Sequence, residues 1–381
     1  MRKYASIFKD IICVGGFSVF TCGYSSNISG KSKEITCMNE SGKPVDWWVI
    51  SKLPVISSEL RGTKFHDGYA YAYADADSPE LVMSDMAIND TTTALAYTLE
   101  PIYGDTSQSG DLLWLLYNDQ PPESKVSSSY AHSKGVIAFD DTQGFWLIHS
   151  TPRFPLDPSK EPYQFPANER LKGQSFLCVN YRSNQFEQIM KKLWVNRPYI
   201  YNAYIPDKTS LPVSLLNQLL AGGFQSSPTA ITSVLTSKGG VQLNVFAKNS
   251  EWNDDLYEGF VQVTFDQDMI VQSWRLGANS TIMPSYCRPE YKYDSLNIMK
   301  LSINGTDGSQ YSWKYTVDHS KWAATLDSSE STKYICIGDI NRMKSQYHRG
   351  GGTACLSVEP LWKSFRDTSL FISECPNTKS K

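Results

Sequence analysis

The sequence predicts an α/β fold, central β-sheets flanked by helices, and three observations carry that expectation. Short apolar runs rich in Val, Ile, Phe, Trp and Tyr recur along the whole chain. Helix-like segments are interspersed among them in both halves, the pattern of layered sheet and helix. With 381 residues, 41% of them apolar and 13% aromatic, there is material for one large core or two intimate halves.

At the start, Arg2, Lys3 and Lys9 precede an apolar run, residues 11–20. It is too short to span a bilayer and has the length of a secretory signal, so residues 1–23 are expected to be removed. Residues 24–36, rich in Ser and Gly, read as disordered. An apolar strand follows at 45–51, closed by Lys52, Leu53 and Pro54. Residues 57–110 read as loops and short strands, with His66 an ordinary surface histidine. Residues 112–117 form another strand, and 118–128 a polar loop. Two apolar runs, 135–139 and 145–148, flank the polar turn 140–144 and read as a β-hairpin. A Pro-rich stretch, 153–170, leads to a strand at 176–181 and a helix through Trp194, with Asn184 as its cap. The Tyr- and Pro-rich stretch 198–212 makes a seam between an N-terminal half, 24–205, and a C-terminal half, 206–381. Beyond it come a helix at 213–221 ended by Gly222-Gly223, and strands at 241–246, 260–265 and 270–274. The runs 300–303 and 312–317 pair across the turn 304–309, 334–337 is a buried strand, and 359–365 is a last helix.

The formal charge is −3; loss of residues 1–23, with Arg2, Lys3, Lys9 and Asp10, takes it to −5. An acidic chain does not coat nucleic acid at neutral pH, but protonation near pH 5 moves the balance toward positive. Beyond Cys13 and Cys22 in the presumed signal, six cysteines remain, an even number that implies disulfides. Metal-ligand spacing is absent, and no metal or cofactor is expected. Five sequons, Asn27, Asn39, Asn89, Asn279 and Asn304, fit a glycosylated protein of the secretory pathway, secreted or lysosomal; no transmembrane stretch is seen.

Two of the five histidines open the same triplet, His132-Ser133-Lys134 and His319-Ser320-Lys321. Residues i and i+2 of a strand share a face, so imidazole and ammonium meet in one site. An Asp follows each histidine by eight residues, Asp140 and Asp327, which reads as one half-site used twice. His149-Ser150 follows in the first copy and Gly338-Asp339-Ile340-Asn341 in the second.

This paired H-x-K with a later G-x-x-N resembles the phospholipase D superfamily. Longer strings narrow the likeness: NESGKPVDWWVISKLP (39–54), HSKGVIAFD (132–140), GFWLIHSTPRFP (144–155), GQSFLCVNY (173–181), DHSKWA (318–323), IGDINR (337–342) and RGGGTACL (349–356). Together they closely resemble the deoxyribonuclease II family of acid endonucleases, from about Cys37 to Cys375. The resemblance implies two phospholipase D-like halves related by a pseudo-twofold, with the active site at their joint. It also implies the disulfides Cys37–Cys178, Cys287–Cys375 and Cys336–Cys355.

Splitting a phosphodiester without metal needs cations on its oxygens, a nucleophile, and an acid for the leaving group. Lys134 and Lys321 supply charge. One histidine attacks phosphorus and the other protonates the departing 5′-oxygen, then activates water. The resemblance makes His132 the nucleophile and His319 the acid; the residues alone leave the reverse open. Asn341 is expected to donate to a phosphate oxygen, with His149 and Ser150 as the matching polar group of the first half. Ser133 and Ser320 lack a nucleophile-elbow motif. The expected function is acid, metal-independent cleavage of DNA to 3′-phosphate ends through a phosphohistidine. The alternatives are a secreted, catalytically weak relative that binds DNA or a host or cell-surface partner, and a phospholipase on the same scaffold. The intact motif residues count against the first, the nuclease-specific strings against the second.

Overall fold

Strands with apolar residues at every position fit a sheet buried on both faces, and the Trp47–Ile50 run is such a case: Trp47 and Val49 enter one core cluster, Trp48 and Ile50 another. The computed structural model describes residues 34–56, 62–104, 110–277, 282–287, 292–326 and 331–375. The presumed signal, most of 24–36, Asn27, Asn279 and Asp327 lie outside the described residues.

The fold is mixed α/β with two sheets. The first comprises β1 (Trp47–Lys52), β2 (Tyr71–Asp75), β3 (Val82–Met83), β4 (Leu113–Asn118), β5 (Lys134–Phe139), β6 (Gln143–His149), β7 (Gln174–Arg182) and β8 (Ile200–Tyr204). Their spatial order is β3-β2-β1-β7-β6-β5-β4-β8, with antiparallel pairing throughout. The second comprises β9 (Ala230–Thr236), β10 (Gln242–Lys248), β11 (Met269–Gln272), β12 (Ser295–Asn304), β13 (Gln310–Lys314), β14 (Trp322–Thr325), β15 (Ile335–Gly338), β16 (Gly351–Leu356) and β17 (Ser369–Ile372). Its order is β13-β12-β11-β14-β15-β16-β10-β9, with β17 beside β12 and β11–β12 a parallel pair.

Helices are few: α1 (Lys64–Asp67), α2 (Ala94–Tyr103), α3 (Phe186–Asn196), α4 (Ser214–Leu220), α5 (Gln262–Phe265) and α6 (Glu359–Thr368). One continuous core takes inward residues of both sheets, such as Trp146, Leu177, Ile337 and Leu356, together with Ile189 and Leu193 of α3 and Leu361 and Phe365 of α6. Truncating Leu361 to alanine there costs about 2–5 kcal/mol. On the outer face of the first sheet, Leu95, Leu99 and Ile102 of α2 cover Trp114 and Leu147. The outer face of the second is covered by Leu256, Tyr257 and Val261.

Most predicted strands stand within two residues of their expected bounds, and the hairpin β5–β6 pairs Gly135 with Ile148 and Phe139 with Gly144. Asp140 serves as a turn acid, accepting from the Thr142 and Gln143 amides. Four local expectations are corrected. Residues 257–265 are helical rather than a strand: Asp255 Oδ1 accepts from the Tyr257 and Glu258 amides, and Tyr257 and Val261 bury one face at helical spacing. Asn184 does not cap α3, whose N-cap is Gln185 without a side-chain bond. Within 57–110 lies a capped helix, α2, where Thr93 Oγ1 accepts from the Ala96 amide at 3.2 Å. Ile35 and Thr36, in the stretch read as disordered, are buried.

The disulfides are Cys37–Cys178, Cys287–Cys375 and Cys336–Cys355, the last joining directly paired residues of β15 and β16. Among the sequons, Asn89 and Asn304 are exposed, while Asn39 Oδ1 accepts from the Ser41 and Lys43 amides. No helix among the described residues is long and apolar enough to cross a membrane.

Candidate active site

His132 sits just before β5, whose first residue is Lys134. Its backbone N–H donates to the Gly350 carbonyl at 2.9 Å. Its ring Nδ1 is 2.8 Å from Gln346 Oε1 and 3.3 Å from Asn341 Nδ2. Lys134 is 1% exposed and ion-pairs with Asp119 Oδ1. The other Asp119 oxygen takes Arg349 Nη2 at 3.0 Å, and Arg349 Nε donates to the Tyr130 carbonyl. Burial alone would raise the Asp119 pKa; Lys134, His132 and Arg349 outweigh it and hold the carboxyl well below its usual range. His132 is held well below the ordinary histidine value, by burial first and then by Lys134.

His319 and Lys321 both precede β14, which starts at Trp322, and the His319 backbone N–H donates to the Gly173 carbonyl at 2.8 Å. The His319 ring packs edge-on against Trp274, centroids 4.0 Å apart, and its buried Nε2 has no hydrogen-bond partner among the described residues. Burial, then Lys321 and Lys172, pull its pKa down to about 2. Lys321, 3% exposed, donates to the His319 carbonyl at 2.6 Å. Burial and Lys134 lower it to about 7 against the pull of Asp119 and Asp339. Burial also raises Asp339 to about 7, while its Oδ1 accepts from the Gly352 amide.

Asn341 and Trp274 stand between the two histidines: the nitrogen of Asn341 faces His132, its Oδ1 accepts from the Trp274 amide at 3.2 Å, and the Trp274 ring packs on His319. His149 ends β6 fully buried between the Phe154 and Phe176 rings. Its Nδ1 accepts from the Thr151 amide, and burial with Lys134 and Lys321 keeps it uncharged. Ser150 Oγ donates to Gln174 and accepts from the Ser175 amide; Ser175 Oγ in turn accepts from the Lys321 amide. The expected residues therefore gather at one place, His149 and Ser150 behind them. Of the two remaining histidines, His66 lies beside Asp67 on α1 and His348 is exposed.

Sequence reasoning passed over Asp119, Gln346, Arg349, Trp274 and Lys172. One signal was readable: a basic residue followed by glycine occurs at Lys172-Gly173 and at Arg349-Gly350, one beside each histidine's backbone partner. Among the described residues, a group with metal-ligand closeness is Cys287, Asp294 and Cys375, but its sulfurs are joined in a disulfide and are not ligands.

A family model described as Deoxyribonuclease II matches residues 36–375. Plancitoxin-1 of Acanthaster planci is 36% identical over 91% of this chain and 94% of its own length. Deoxyribonuclease-2-alpha of Sus scrofa is 36% identical over 87% of this chain and 88% of its own. For Deoxyribonuclease-2 of Caenorhabditis elegans the identity is 34%, over 87% and 91%.

Proposed function

The chain belongs to the deoxyribonuclease II family and is a hydrolase that cuts DNA; we propose that it does so in acid, without metal, through a phosphohistidine. The observation that carries this reading is the convergence of two His-Ser-Lys triplets, His132 against Asn341 and His319 against Trp274, whose amide donates to Asn341. With His132 Nδ1–H donating to Gln346 Oε1, the lone pair rests on Nε2, free to attack phosphorus. As the P–N bond forms, the P–O5′ bond breaks, and His319 passes its proton to the leaving oxygen. Water then attacks phosphorus, His319 takes a proton from it, and the P–N electron pair returns to His132. The products are a 3′-phosphate and a 5′-hydroxyl.

Lys134 and Lys321 offset phosphate charge in a site that burial makes poor in water, where each charge counts for more. Asn341, oriented by Trp274, presents its NH2 to a phosphate oxygen. His319 accepts its proton from an acid medium once the anionic substrate offsets the neighbouring lysines. We read the two sheets as the two phospholipase D-like halves, 24–205 and 206–381. The reciprocal bonds from His132 to Gly350 and from His319 to Gly173 support that pseudo-twofold. Three disulfides and exposed sequons at Asn89 and Asn304 support a secreted or lysosomal glycoprotein.

The test is plasmid cleavage at pH 5 in excess EDTA. Full activity is expected; loss on chelation that magnesium restores would overturn the mechanism.

A further inference from the structure

We propose that Lys52 and Lys248 are a matched pair of positioning residues, each fixing the histidine of the opposite half through the loop it grips. Lys52 is the last residue of β1 and Lys248 the last of β10. Both are buried, at 1% and 0% exposure. Neither makes an ion pair within 4 Å among the described residues; each ammonium instead meets three backbone carbonyls. Lys52 Nζ donates to Glu169, Arg170 and Lys172, at 3.4, 2.5 and 2.7 Å. Lys248 Nζ donates to Gln346, Tyr347 and Arg349, at 2.9, 2.9 and 2.7 Å. The spacing is the same in both loops: a first residue, the next, and the third after the first. An ammonium has three donors, so each is fully used.

The residue after each gripped triad is the glycine whose carbonyl holds a histidine. Gly173 follows Lys172 and accepts from His319; Gly350 follows Arg349 and accepts from His132. Register repeats the match, since Lys52 pairs with Gln174 of β7 and Lys248 with Gly351 of β16. Neither glycine has room to give: a Cβ on Gly173 would lie 2.5 Å from Asp318 Oδ1, and one on Gly350 would strike the Asn196 carbonyl. The Lys248 loop also carries Gln346, the partner of His132 Nδ1, and the Lys52 loop carries Lys172, whose ammonium lies 4.8 Å over the Trp274 ring beside His319. Burying two cations for backbone carbonyls alone is costly, and burial lowers Lys52 to about 7 and Lys248 to about 8. A fold with no use for rigid loops at these two places would fill the sites with apolar side chains.

The pairing is crossed, and the crossing is what the experiment reads. Lys52→Met and Lys248→Met keep the chain length and remove the donors. Carbethoxylation rates of His132 and His319, mapped by peptide mass, need no assumption about catalysis. Lys52→Met should change the His319 rate at least about threefold and leave His132 within about twofold; Lys248→Met should do the reverse, and both should lose about a hundredfold in plasmid cleavage. Equal changes at both histidines in either variant, or none with full activity, overturn the proposal. Should methionine prevent folding, glutamine, which keeps two N–H donors, gives the same crossed labelling in milder form, and uncrossed labelling there overturns it too. A second arm rests on the roles proposed above: on a nitrophenyl ester of a nucleotide, which needs no acid, Lys52→Met should recover and Lys248→Met should not. Crossed labelling with the reverse recovery supports the positioning and overturns the assignment of nucleophile and acid.

Discussion

Asn341 places its side-chain nitrogen 3.3 Å from His132 Nδ1, across a separation of 209 residues. Its oxygen is meanwhile fixed by the Trp274 amide. The side chain is thus held by one neighbour against the imidazole of another, on the Nδ1 side of the ring. Asn341→Asp keeps the shape and sets a carboxylate against the phosphate. It should lower kcat/KM on plasmid about 10²–10³-fold with the circular-dichroism melt little changed; a variant of normal activity would remove Asn341 from phosphate binding.

Loss of the two histidines should differ in kind. His132→Ala should abolish turnover on every substrate, because no covalent intermediate forms. His319→Ala should recover in part on a nitrophenyl ester, whose leaving group departs without a proton. The double variant should be little worse than His132→Ala alone. An adduct mapped by mass to His319, or an active His132→Ala, contradicts the assignment.

The pH profile follows from the lysines as well as the histidines. Lys321, lowered to about 7, loses its charge as pH rises through that value, so cleavage should fall across neutrality. His132, held well below the ordinary value, stays neutral and nucleophilic in moderate acid. The optimum should therefore lie below pH 7, and a rate climbing to pH 9 would exclude this site as the catalyst.

Stability should show the cost of that charge. The folded-state pKa of Lys321 is depressed, so the unfolded chain binds more protons between about 7 and the ordinary lysine value. The penalty is whole below pH 7 and is relieved as pH rises beyond it. Lys321→Met should accordingly be more stable than wild type at pH 5, by roughly 2–4 kcal/mol, with the gap closing by pH 10. Equal urea midpoints at pH 5 would contradict the buried cation.

Much of this was readable beforehand, for identifiable reasons. Strands such as Leu113–Asn118 announce themselves because both faces are buried and the run Leu113–Tyr117 is apolar or aromatic throughout. The triplets were legible because the same His-Ser-Lys occurs twice, although His132 stands just before β5, and His319 and Lys321 before β14, rather than on the strands themselves. Residues 257–265 misled because Phe260, Val261, Val263 and Phe265 read as a strand while the deciding cap, Asp255, lies upstream. Gln346 and Asp119 were invisible because their partners, His132 and Lys134, are reached only through tertiary contact, 214 and 15 residues away. Lys52 reads as a strand end, and nothing local says that its ammonium grips a loop 117 to 120 residues on.

The bond from His132 to the Gly350 carbonyl has a consequence for the order in which the protein is made. His132 leaves the ribosome with more than two hundred residues still to come, and its backbone partner and Gln346 arrive near the end of translation. A nascent chain, or one ended by a premature stop before β16, carries the first triplet without the parts that aim it. If the proposed site is the catalyst, such fragments should be inert toward nucleic acid, and the route of the chain would itself delay activity until synthesis is nearly complete.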